Sequence, residues 1–342
     1  MNQTMKAVRF TQNGNELQLS QTTQAIPTLG KNEVLIKVKA ASLNFRDHAA
    51  LSGNYPGGID MVVPLSDGAG EVMAVGEKVT RVNVGSRVSA NCWANWVDGT
   101  VLKPEYYVAS IGFNMDGWLA EYIVLHEMAL VQLPDYLSYV EAATLPCGAV
   151  TAWNSIHQHG TLTAGQTVLV QGAGGVSVFA LQLAKLSGAN VLAIASRDDD
   201  DKAKLLKDLG AETVINYGKN PDWEKEVLKL TNGLGVDKVV EVAGEKTINK
   251  SVASTKAGGN VALVGFASGM GGGVSPLEIM TRGIQMGATT MGSRSDFEAM
   301  LAAMASAEMK PVIDSVFKFD DYQKAYDRLQ SGNVMGKVVI EF

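Results

Sequence analysis

Cysteine is almost missing from this chain. Two occur in 342 residues, Cys92 and Cys147, too few and too far apart for a disulfide framework. Histidine is scarce too, at four, and no partner ligand stands at metal spacing from any of them. His157 and His159 are two apart near a helix, which puts them on different faces. His48 and His126 are expected at surface or loop positions. No apolar run is long enough to span a bilayer, and "MNQTMKAVRF" lacks the apolar centre of a signal peptide. Basic residues number 29 against 35 acidic ones, for a net charge of -6. The basic face that phosphate neutralisation needs is absent, which excludes nucleic acid as a partner. Together these absences point to a reducing cytoplasm and a small-molecule partner.

What is present is ordinary and sufficient. Hydrophobic residues make up 46% and charged residues 19%, as in a globular protein with a large core. The length is comfortable for two domains. The first third is built from short alternating runs, "NEVLIKVKAASL", "AGEVMAVG", "GSRVSANCW" and "LAEYIVLHEMALVQL". They predict strands of a compact β-rich domain, with Gly- and Pro-bearing turns between them. From Gln166 the texture changes. "QTVLVQGAGGVSVFALQLAKLSGANVLAIAS" reads as a buried strand, a Gly-rich turn, an amphipathic helix and a second buried strand. Further strand–helix alternation follows, which predicts a parallel sheet with right-handed crossovers.

The Gly-rich turn carries the strongest motif. Gly172, Gly174 and Ser177 occupy the positions of G-x-G-x-x-G, with a strand before and a helix after. Gly172 permits the tight turn, and Gly174 lets backbone approach a pyrophosphate. Ala173, Gly175 and Val176 complete the loop and the first helical turn, whose free N–H groups and partial positive charge suit an anion. Ser177 is small enough for close helix–strand packing. The second strand ends on Ser196–Arg197, with Lys202 beyond. A hydroxyl and a guanidinium suit a 2′-phosphate, so NADPH is expected over NADH. The run Asp198 to Asp201 caps the next helix or, alternatively, supplies an acid for an NAD ribose.

Taken together, "SLNFRD", "PLSDGAGEVMAVG", "DGWLAEYIVL", "EAATLPCGAVTAWNSI", "GAGGVSVFALQLAK", "LGAETVINY" and "GKVVIEF" resemble the medium-chain dehydrogenase/reductases. The likeness is to their zinc-free, quinone-oxidoreductase-like and alcohol-dehydrogenase-like branch. The resemblance implies an α/β protein with a GroES-like β-rich catalytic domain and a Rossmann doubly wound domain. The boundaries expected are 1–149 with 291–342 for the first and 150–290 for the second. It also implies a homodimer or homotetramer. Zinc-dependent relatives place ligands where this chain has Asn44, Ser66–Asp67 and Cys147. Only Cys147 remains a family-type ligand, and "NCWANWVDGT" holds one cysteine of a structural zinc loop, so no zinc is expected.

The resemblance also suggests site residues. Tyr55, in "GNYP", is similar to a tyrosine of zinc-free enoyl-thioester reductases thought to donate to substrate; the alternative is a residue packing its loop. Asn44 is a candidate partner of the nicotinamide ribose or a substrate oxygen, or else a turn former. Arg46 stands where zinc enzymes keep a relay hydroxyl, or pairs with Asp47 and holds the loop. Thr151 and Phe266 match positions near the nicotinamide, Tyr217 one near the adenine. Lys337 is a candidate for the pyrophosphate or a surface lysine. Trp93 and Trp96 are read first as core packing. Without a Lewis acid, alkoxide chemistry loses its main support. Hydride delivery to an activated C=C or a quinone asks only for a few hydrogen-bond donors. The leading expectation is therefore an NADPH-dependent enone or quinone reductase. The alternatives are a zinc-free alcohol or aldehyde oxidoreductase and a non-catalytic NADPH-binding protein.

Overall fold

The computed structural model describes residues 4–14, 16–53, 55, 61–158, 160–195 and 200–342. The chain divides into two units, Met1–Val150 with Gly292–Phe342, and Thr151–Met291.

The first unit is mostly antiparallel sheet. Strands β1 (Thr4–Asn13) and β2 (Glu16–Ala25) form a hairpin. The main sheet uses β3 (Glu33–Ser42), β4 (Asp67–Val75), β5 (Arg87–Ala90), β6 (Tyr122–His126) and β7 (Leu130–Gln132). Its strand order is completed by the C-terminal pair β14 (Ile313–Lys318) and β15 (Lys337–Glu341), giving β14-β15-β3-β4-β5-β7 with β6 also on β3. Val34, Ile36 and Val38 alternate inward along β3, as period-two apolar residues must when one face is dry. They join Val72, Val88, Trp118, Ile123 and Leu125 in one core. Helix α1 (Phe45–Leu51) follows β3 directly; α2 (Tyr139–Ala142) and a π-turn over Leu145–Ala149 come before the second unit.

In the second unit, which α3 (Val150–His157) opens, the strands are β8 (Thr167–Gln171), β9 (Asn190–Ala195), β10 (Thr213–Asn216), β11 (Val236–Glu241), β12 (Thr255–Leu263) and β13 (Gln285–Ala288). All pair in parallel, in the order β10-β9-β8-β11-β12-β13. Helices α4 (Gly175–Leu186), α5 (Asp200–Asp208), α6 (Trp223–Leu230), α7 (Ile248–Ser254) and α8 (Pro276–Arg282) lie along the connections. Val168, Leu169 and Val170 of β8 are buried without alternation, as in a strand covered on both faces. The order reverses between β8 and β11, the switch point of a Rossmann sheet, where such folds bind their ligands. The chain returns to the first unit through α9 (Arg294–Ala305) and α10 (Tyr322–Gln330). The α/β class, the GroES-like β domain and the Rossmann sheet are those expected from the sequence.

Candidate active site

Strand register builds the centre of the first unit's site. β15 runs antiparallel to β3 with Val339 opposite Ser42 and Leu43 N–H donating to Val338 O, so Lys337 falls across from Asn44. β4 flanks β3 on its other side, with Asp67 opposite Ser42. Lys337 is only 3% exposed. Its ammonium donates to Leu43 O at 2.8 Å and to Asn44 Oδ1, and stands 3.6 Å from Asp67 Oδ2. An ammonium has three donors and no acceptor; two hydrogen-bond here, and the Asp67 carboxylate lies at ion-pair distance. This burial corrects the reading of Lys337 as a surface lysine.

Asn44 is the N-cap of α1, and the Asp47 carboxylate accepts its backbone N–H at 2.7 Å. With Oδ1 engaged by Lys337, its Nδ2 is buried with no hydrogen-bond partner among the described residues. In the first turn of α1, buried Arg46 donates through Nη2 to Tyr55 Oη at 2.8 Å and to Ser110 Oγ at 3.1 Å. Its guanidinium lies 3.9 Å from the centre of the Phe113 ring, 5.3 Å from Tyr55 and 5.4 Å from Trp93. The Tyr55 ring packs on Phe113 at 4.7 Å. Burial pushes the Tyr55 phenol above its ordinary value, against the opposing pull of Arg46. Hydrogen bonds thus tie Arg46 to Tyr55 and Ser110 while Asp47 turns to the Asn44 backbone. Pro56, Gly57 and Gly58 of the same loop lie outside the described residues.

Behind Asn44 sits a cluster that sequence spacing does not reveal. Asp67 Oδ1 accepts from Ser66 Oγ at 2.9 Å and Cys92 Sγ at 3.4 Å, while Oδ2 accepts the Cys147 N–H at 3.2 Å. The candidate ligand atoms of Asp67, Cys92 and Cys147 lie within 4.8 Å of one another, all in buried residues. Burial pushes the Cys92 thiol well up. Cys147 is therefore not the lone thiol of the sequence reading. Leu65, fully buried, adopts φ +74° immediately before Ser66–Asp67. A left-handed leucine is strained. It is held by Trp118 N–H donating to its carbonyl and by close approach of Gly112 and Gly117.

The second unit carries the Gly-rich loop between β8 and α4. Gly172 ends β8 at φ +78°, a conformation that favours glycine. Gly174 is the N-cap of α4 at φ -72°, which any residue adopts, and a Cβ there would meet nothing within 4 Å. Neither backbone angle nor packing within the chain explains a glycine at 174; room for a group close to the backbone does. A dinucleotide fits that space and the first turn of α4 formed by Gly175 and Val176. Ala173 is buried between the two glycines. Ser177 is buried and donates to Gln171 O at 2.6 Å, locking α4 against β8.

The remaining candidates are dispersed over that unit. Thr151 is buried in α3, Phe266 is half-buried beyond β12, and Tyr217 is exposed beyond β10 with its N–H donating to Ala195 O at 3.2 Å. Lys202 is buried in α5, whose first two residues are Asp200 and Asp201. Ser196, Arg197, Asp198, Asp199 and His159 lie outside the described residues. Trp96 is core, stacked on Tyr106, whereas Trp93 stands beside Arg46. His126 accepts the Met128 N–H, His48 lies edge-on to Phe45, and His157 packs on Trp153. Ser110, Phe113 and Cys92 were missed as site residues, and no local signal marks them.

Comparison with known proteins defines the class. Residues 30–135 match the alcohol dehydrogenase GroES-like domain, and residues 175–306 match the zinc-binding dehydrogenase family. A zinc-type alcohol dehydrogenase-like protein of Schizosaccharomyces pombe is 42% identical over 325 residues, 92% of each chain. The solved structure of a candidate alcohol dehydrogenase from Sinorhizobium meliloti 1021 is 32% identical, superposes with a TM-score of 0.92 and covers 100% of both chains. A quinone oxidoreductase from Pseudomonas syringae pv. Tomato DC3000 is 28% identical, with a TM-score of 0.82 over 99% of this chain and 100% of that one. The chain belongs to the medium-chain dehydrogenase/reductase superfamily, in its alcohol-dehydrogenase-like part. Its class of activity is oxidoreductase. No helix among the described residues is long and apolar enough to cross a membrane.

One titration follows from the site. Asp47 is enclosed, and burial pushes its carboxyl up to about 7, against Arg46, the Asn44 N–H and Lys337. In the unfolded chain it titrates near about 4. Between those values the folded protein keeps a proton that the unfolded chain has lost, so this group's contribution to stability falls as pH rises from about 4 to about 7. Thermal melts across that window should show the loss, and Asp47→Asn, which keeps an acceptor for the Asn44 N–H, should flatten the slope. Identical slopes for the two proteins would remove Asp47 as its source.

Proposed function

We propose that this protein reduces activated alkenes or quinones by hydride transfer from NADPH, without a metal. The observation that carries the reading is the contact between Arg46 and Tyr55. A guanidinium only donates, so the Tyr55 oxygen accepts from it, and the phenol's own proton remains for another acceptor. The raised titration keeps that proton in place at neutral pH. The charged donor behind it polarises the O–H and strengthens it as a donor. Such a group suits a carbonyl oxygen that gains negative charge as a hydride reaches the β-carbon of an enone. Asn44 Nδ2 is a second donor, with no hydrogen-bond partner among the described residues. When bound, the dinucleotide supplies the hydride. The open space at Gly174 and the first turn of α4 support its binding. The reading keeps the cytoplasm, a small-molecule substrate and a homodimer or homotetramer, as expected from the sequence.

A second reading has one observation in its favour. Asp67, Cys92 and Cys147 are three ligand-type side chains in one buried cluster, and relatives carry alcohol dehydrogenase names. Metal binding would need deprotonated thiols, and the Cys92 thiol is pushed the other way. The Lys337 ammonium also stands 3.6 Å from the carboxylate a cation would use. Asn44 and Ser66 occupy two family ligand positions with an amide and a hydroxyl. These residues fit zinc poorly. Elemental analysis of the purified protein should find no stoichiometric zinc, and chelation should leave activity intact. About one zinc per chain, with activity lost on chelation, would make this second reading the right one.

NADPH should bind at least about tenfold more tightly than NADH, or about 1.4 kcal/mol, on the strength of Ser196–Arg197 at the second strand's end. Arg197→Ala should erase most of that difference and leave NADH binding unchanged. Equal weakening of both cofactors would point instead to an aspartate of the following run.

Tyr55→Phe isolates the hydroxyl because the ring and its packing on Phe113 stay. It should lower kcat for an enone by roughly tenfold or more, with NADPH affinity and Tm nearly unchanged. Normal turnover in Tyr55→Phe, with mere destabilisation in Tyr55→Ala, would make Tyr55 a packing residue.

A further inference from the structure

We infer that Lys337 is a positioning residue whose ammonium holds the Asn44 amide with its oxygen inward, so that Nδ2 is presented as a donor to the substrate's activating oxygen. The inference rests on the reductase reading and deepens it by naming what sets the second donor.

The argument begins with chemistry that allows one orientation. Lys337 is 3% exposed, and its ammonium carries donors only, so the Asn44 atom facing it is the oxygen. Pinning Oδ1 directs Nδ2 away from the ammonium. That nitrogen belongs to a residue 9% exposed and has no hydrogen-bond partner among the described residues. A buried N–H without an acceptor is unfavourable and calls for an explanation in a native fold; a substrate oxygen arriving there is one. The ammonium matters also through what it occupies. It takes the Leu43 carbonyl and neighbours the Asp67 carboxylate. Remove it, and those acceptors are released to an amide N–H, so the Asn44 side chain gains a reason to turn round and withdraw its donors. The control is long-range in sequence and short in space. Lys337 arrives on the last strand, 293 residues from Asn44, and the antiparallel register of β15 with β3 brings the two together.

A double-mutant cycle of Asn44→Ala and Lys337→Met, read on kcat with an enone at saturating NADPH, tests the coupling. Each single change should lower kcat by about tenfold, and the double variant should be no slower than Asn44→Ala alone. Multiplied effects, about a hundredfold in the double, would mean that Lys337 acts by another route. Lys337→Met leaves Asp67 without its buried cation, so the same cycle is run in the Asp67→Asn background, where the charge pair is removed as a whole. A second readout is independent of turnover. The Asn44 side-chain amide resonance, assigned by its loss in Asn44→Ala, should shift in Lys337→Met while backbone amides of β1 and β2 hold still. An unmoved resonance would overturn the inference whatever the activity. A moved resonance in a protein that turns over no enone or quinone would leave Lys337 as the residue that sets the amide, and would sink the reductase reading alone.

Discussion

A buried ammonium has to be paired, since its solvation is lost and nothing else replaces it. In this chain that requirement falls on Lys337, and the first unit's site is arranged around meeting it. The ammonium draws in the Leu43 carbonyl, the Asn44 amide oxygen and the Asp67 carboxylate. Three strands, β15, β3 and β4, are thereby tied at one point, beyond what their ladders provide. Asn44 then begins α1 in a fixed orientation. Two residues along, Arg46 is delivered against Tyr55, Ser110 and the Phe113 ring. Each donor proposed to act on substrate is thus held from behind by a cation that cannot accept a hydrogen bond. That is a physical way to keep polar hydrogens facing outward in a dry site.

The second unit solves a different problem. Its loop after β8 leaves room close to the backbone, and it does so by subtraction. Gly174 leaves space that no neighbour fills, while Gly172 turns the chain and Ser177 clamps α4 to β8.

Sequence and structure agree where the information is local. The β8–turn–α4 segment is legible because every residue that matters lies within about one turn of the next. The parallel sheet is legible because strands covered on both faces read as unbroken apolar runs. The antiparallel strands of the first unit alternate with period two, and the same alternation sets which face is dry. Arg46 was visible as a candidate because it stands where the resemblance puts a relay hydroxyl. Its partner Ser110 is 64 residues away and has nothing in its neighbourhood to mark it.

The sequence by itself determined the class of fold and the strand, Gly-rich turn and helix of β8 and α4. Those depend on spacing within single elements and on residue type. Only the tertiary structure decided that Cys92 joins Asp67 and Cys147, and that Lys337 faces Asn44 rather than solvent. Pairings of that kind come from strand register between distant segments. Many registers satisfy the same apolar alternation, and the choice among them is made by the whole core packing at once.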